Sequence, residues 1–121
     1  MKLNITVDGE SDTYRIPDNL IVEARDFFDK LDADMDKGWQ MSRDWVDNPT
    51  PDQRCQIAAD KILGAMETDN QKLLMLMMAY ILYKKPGIQG VHIATNGDMT
   101  QTVLVMEPDQ EPDKPMGPIF G

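Results

Sequence analysis

The sequence holds one cysteine, Cys55, so no disulfide can form within the chain. It holds one histidine, His92, so paired Cys/His zinc ligands are missing. It has no glycine-rich phosphate loop and no nucleophile elbow. Without these motifs the chain is expected to be non-enzymatic. Its longest apolar run, Leu73–Tyr83, is about half of the ~20 residues that cross a bilayer. The opening residues, MKLNITVDGE, contain no apolar leader run, so a cytoplasmic location is expected. Basic residues are scarce: 12 Lys and Arg stand against 21 Asp and Glu, a net charge of −9. Nucleic acids and anionic membranes both require a basic footprint, so neither is an expected partner. An acidic surface still suits cations or a basic partner, and it keeps a protein dispersed.

A chain of 121 residues fits one domain, with enough apolar content (41%) to bury a core unaided. Leu3, Ile5 and Val7 alternate in KLNITV, which predicts a half-buried strand. DGESD turns the chain, and TYRI returns it as the second strand of a hairpin closed by Pro17. Leu20, Ile21, Ala24, Phe27, Phe28, Leu31 and Met35 recur at helical spacing. Thr50-Pro51 with Gln53 forms a capping box that opens a helix running to about Glu67. A further helix spans about Asp69–Lys85, apolar on all sides in its middle and stopped by Pro86-Gly87. Asn96-Gly97 lies between two strand-like runs in VHIATNGDMTQTVLVM and predicts a hairpin with a type I′ turn. Residues 107–121, with four prolines, read as an extended or disordered acidic tail beyond a single domain of 1–106. The predicted fold is α+β: N-terminal and C-terminal hairpins in an antiparallel sheet, with three to four helices between them.

Chemistry concentrates in LDADMDKGWQ, residues 31–40. Asp32, Asp34 and Asp36 stand two apart behind a helix. In this they resemble positions 1, 3 and 5 of an EF-hand calcium loop. The resemblance covers residues 32–44 and implies a calcium or other divalent-cation site built from Asp32, Asp34, Asp36 and Asp44. The sequence departs from the pattern in two places. Lys37 occupies the turn-glycine position and Arg43 the place of the bidentate glutamate; an insertion of one residue brings Gly38 and Asp44 to those places instead. The competing reading is one helix from Asn19 to Asp47, straight or kinked near Gly38. Met35, Gly38, Trp39, Ser42, Trp45 and Val46 continue the phase of Leu20–Phe28. Asp32 and Asp36 then share a solvated face.

Cys55 follows Arg54 near a helix N-terminus, a setting that can activate a thiol, but it also lies on an apolar stripe. His92 stands between Val91 and Ile93, so on a strand it points away from their face. These two residues carry the weaker enzymatic alternative. Methionine-rich helices form adaptable contact surfaces, and a small domain has difficulty surrounding an all-apolar helix. Met75, Met77, Met78, Tyr80 and Tyr83, with Ile119 and Phe120 of the tail, are therefore the candidate interaction residues. In general style the chain resembles small bacterial proteins of unknown function. The leading expectation is a protein that acts through contact with a protein partner or by self-association as a homodimer, without a cofactor; calcium binding is the alternative.

Overall fold

The computed structural model describes residues 1–106. The reading of residues 107–121, with Ile119 and Phe120, lies outside these. Strands β1 (Lys2–Val7) and β2 (Glu10–Arg15) pair as a hairpin. Asp8 and Gly9, both at positive φ (52° and 82°), form its two-residue turn, as a type I′ turn requires. Helices α1 (Asp18–Glu23) and α2 (Arg25–Asp36) follow. A short hairpin of β3 (Trp39–Met41) and β4 (Asp44–Val46) comes next. Helices α3 (Pro51–Glu67) and α4 (Gln71–Lys84) lead into β5 (Ile88–Ile93) and β6 (Val103–Met106).

The protein is α+β, as predicted, and the two terminal hairpins share one four-stranded sheet in the order β2-β1-β5-β6. They join through a parallel pairing of β1 with β5, with Asn4 opposite Gly90, so the sheet is mixed rather than wholly antiparallel. Leu3, Ile5, Val91 and Ile93 are buried on the face that packs against the helices. On the other face, Asn4, Thr6, Ser11 and Thr13 bond to one another. One core cluster joins the sheet to Phe28, Ile57, Ile62, Met77, Met78 and Ile81. The capping box of α3 forms as read. The Thr50 hydroxyl accepts from the Gln53 amide, and the Gln53 side chain accepts from the Thr50 amide.

Two local readings are corrected. The long helix does not run to Asp47. It bends at Ala24, where α1 gives way to α2, and ends at Asp36. Gly38 then takes φ +103° and donates its amide to the Met35 carbonyl, a glycine-terminated helix end. Asn96-Gly97 is not a two-residue type I′ turn, because Gly97 has positive φ and Asn96 does not. A longer loop connects β5 to β6, pinned where the Ala94 amide donates to the Thr102 hydroxyl.

Candidate functional site

Three helices converge on one buried guanidinium. Arg54 stands in the first turn of α3, placed there by the capping box and by Pro51 at the first helical position. Its side chain runs inward and is buried. Asp32 and Asp36, four apart on α2, share a helix face, as do Tyr80 and Lys84 on α4. Arg54 Nε donates to the Pro49 carbonyl at 2.8 Å. Nη1 donates to both the carbonyl and the carboxylate of Asp32 at 3.2 and 3.1 Å. Nη2 donates to Asp36 at 2.7 Å and to the Asn48 side chain at 2.9 Å. A guanidinium has five N–H donors, and all five are used.

Asp32 is the hub on the acidic side. Its Oδ1 also accepts from the Tyr80 hydroxyl at 2.6 Å, and its Oδ2 pairs with Lys84 Nζ at 2.7 Å. Burial works against the charged form, but bonds from Lys84, Tyr80 and Arg54 outweigh it, so its pKa lies below the ordinary value. Burial also disfavours the charged Arg54, and Asp36 and Asp32 reverse that effect, raising its pKa. Burial, followed by the bond to Asp32, pushes the Tyr80 hydroxyl up, so it remains a donor.

The four sequence-selected aspartates are therefore not a cluster. Asp32 and Asp36 hold Arg54, Asp34 is exposed on α2, and Asp44 lies on β4. Asp32 is not on a solvated face; its side chain is 19% exposed, against 62% for Asp36. Among the described residues no group of three or more His, Cys, Asp or Glu side chains is arranged to hold a metal ion. A cation entering here meets carboxylates already bonded to Arg54 and Lys84. Calcium titration is therefore expected to leave the fluorescence of Trp39 and Trp45 unchanged, in the native chain and in Asp34→Ala alike. A saturable change lost in Asp34→Ala would reinstate the loop.

Asp44 lines a different feature, a polar cleft of about 540 Å³ between the β3–β4 turn and the β5–β6 loop. Ser42, Arg43, Asn96, Asp98 and Thr100 also line it. Its polar groups largely serve the loops themselves. The Met99 amide donates to Ser42 Oγ, and Asp98 accepts from Thr100, which lowers the Asp98 pKa.

The remaining candidates separate as well. Cys55 is fully buried on α3. Burial first, and Asp52 after it, push its thiol up to about 12, so the thiolate is scarce at neutral pH. His92 is exposed on the open face of the sheet, opposite Thr6 and Val103, away from Cys55. Met77, Met78 and Tyr80 are fully buried, which removes them from the candidate interaction surface. Their volume fills the space between α3, the sheet and α2, where Tyr80 meets Phe28 edge-on. Met75 and Tyr83 keep partial exposure.

Tyr83 stacks on Phe28 beneath Arg25, whereas Met75 opens onto an apolar groove between α1 and α4. Pro17, Leu20, Met75 and Leu76 line it with Gln71 and Lys72, around about 440 Å³. Helix α1 carries Leu20, Ile21 and Val22 in succession, and none of its residues is buried; Val22 is 73% exposed. In the sequence Leu20 falls on the apolar stripe of its helix and not among the candidate contact residues, and Val22 falls in neither set, although three consecutive apolar residues are a legible signal. Compared with protein-family models, curated proteins and solved structures, the chain has no match.

Proposed function

We propose that this chain is a small, non-enzymatic, cytoplasmic protein that works through protein–protein contact, and that the α1–α4 face is its contact surface. The observation that carries the reading is the groove lined by Pro17, Leu20, Met75 and Leu76, beside the exposed Val22. Apolar side chains that a monomer has no need to expose are the usual mark of a surface that is covered in use. The groove is also concave, which suits an inserted apolar segment. The absence of a basic footprint directs the reading toward protein rather than nucleic acid. Among the described residues no helix is long and apolar enough to cross a membrane.

A homodimer is the simplest form of such contact. Sedimentation of the native chain across a wide concentration range is expected to show mass rising above that of the monomer. Leu20→Asp with Val22→Asp is expected to return it to monomer. Val22 is exposed, whereas Leu20 packs partly against the core, so Val22→Asp alone is the second variant, and far-UV circular dichroism checks that both stay folded. A native chain that stays monomeric at high concentration would count against self-association.

A further inference from the structure

We propose that the α1–α4 groove and the basic end of the sheet beside it dock an extended acidic segment with apolar side chains, and that residues 107–121 of the same copy are its occupant. The proposal rests on the reading of this groove as a protein-binding surface, and it names what fills that surface first.

Strand register places the parts. Met106, the last residue of β6, pairs with Ile88. Because Asn4 is level with Gly90 in the parallel pair, Lys2 is level with Ile88. Lys2 in turn pairs with Arg15. The chain therefore leaves the sheet at the end where β2 delivers Pro17 to the groove. Three strand spacings of about 4.8 Å separate β6 from β2, a distance of about 14 Å. Residues 107–119, even at about 3.1 Å each, span roughly 40 Å. Reach is ample, and a short tether gives an attached segment a high effective concentration.

Charge agrees with register. In a chain of net charge −9, this end presents Lys2 and Arg15, and the groove itself presents Lys72. All three are exposed, and none is ion-paired among the described residues. By contrast, Lys84 and Lys85 are bound to Asp32 and Asp52. A second cleft, lined by Met1, Lys2, Arg15, Ile16, Pro17 and Asp18, adjoins the groove and shares Pro17 with it; its one carboxylate, Asp18, is paired with the Met1 amine, which leaves Lys2 and Arg15 in excess. Residues 107–121 carry Glu107, Asp109, Glu111 and Asp113 against one Lys114, followed by Met116, Ile119 and Phe120. The acidic half comes first, as the order of cations and groove requires. Prolines at 108, 112, 115 and 118 limit the alternatives open to the free segment, which lowers the entropy lost on docking.

The test uses the full chain, at a concentration where it sediments as a monomer, with NMR signals from the methyl groups of Leu20, Met75 and Leu76. Ile119→Asp together with Phe120→Asp is expected to shift those signals and leave the methyl signals of the buried Ile57 and Ile62 unmoved. A synthetic peptide of residues 107–121, added to this variant, is expected to move them back, and Lys72→Glu to weaken that rescue several-fold. Groove signals identical in the native chain and the variant would overturn the proposal. A difference between native and variant signals that is absent at this concentration, and develops only at higher concentration together with a doubled mass, would overturn docking within one copy in favour of exchange between copies. The reading of the groove fails separately: signals that respond to the tail, in a chain that never self-associates, remove homodimerisation and leave the docking in place.

Discussion

Replacing Arg54 with alanine is expected to destabilise the fold by about 3–5 kcal/mol, the range for breaking a buried ion pair by removing one partner. Urea unfolding monitored by far-UV circular dichroism measures it. Five acceptors lose a donor at once: the Pro49 carbonyl, the Asp32 carbonyl and carboxylate, the Asp36 carboxylate and the Asn48 side chain. Most of the penalty falls at Asp32, which is left largely buried with Lys84 and Tyr80 alone. The Asp36 arm contributes little, because that carboxylate faces water. Arg54→Lys is expected to recover only part of the loss. It restores a charge but not the planar fork that reaches both aspartates, Asn48 and Pro49 together. Acid gives a second readout. The Asp32 pKa is depressed in the folded state, so its contribution is present above the unfolded value of 3.8 and is lost as pH falls through the lower folded value. Native stability should therefore drop below about pH 4, and Asp32→Asn should remove that part of the slope. An Arg54→Ala chain as stable as the native one would show that the cluster is dispensable.

The same cluster shows where sequence legibility ends. Pairs four apart at Asp32/Asp36 and Tyr80/Lys84 are visible in the letters, as is the capping box that places Arg54. Their convergence on one guanidinium depends on how three helices pack, and no local pattern carries that. The aspartates therefore invite a calcium reading from spacing alone, although the cations they meet lie 22 residues on in one case and on α4 in the other. The first hairpin, α3 and α4 were legible because each is defined by neighbours in sequence: alternation, a cap, a proline stop. The parallel pairing of β1 with β5 was not, since it joins segments more than 80 residues apart. The groove was half visible. The all-apolar α4 signalled a shortage of cover, but which of its residues stay exposed is decided by α3 and the sheet. These bury Met77, Met78 and Tyr80 and leave Met75.

The β3–β4 hairpin was missed for a different reason, and it supplies the second large effect. Strands of three residues are too short for alternation to contradict a helical phase. Trp39 and Val46 are half-buried in the hairpin, and both also fall on the extrapolated stripe of the helix. What distinguishes the two structures is Gly38. In a helix interior it is merely a poor residue, about 1 kcal/mol worse than alanine. As observed, its φ of +103° is required to end α2, and a Cβ there would stand 2.4 Å from Trp45 Cζ2. Gly38→Ala is therefore expected to cost about 1–3 kcal/mol from backbone strain, with displacement of the Trp45 ring adding to it and shifting Trp45 fluorescence. Gly64 provides the opposite case in the same protein. It lies inside α3, and a Cβ there meets nothing within 4 Å. Gly64→Ala is expected to stabilise by about 0.5–1 kcal/mol, because alanine loses less backbone freedom in a helix. One substitution, made at two glycines and followed by urea unfolding, should thus give opposite signs. A Gly38→Ala chain that gains stability would mean that α2 continues past Asp36 as a helix, and the hairpin carrying Trp45 would have to be abandoned.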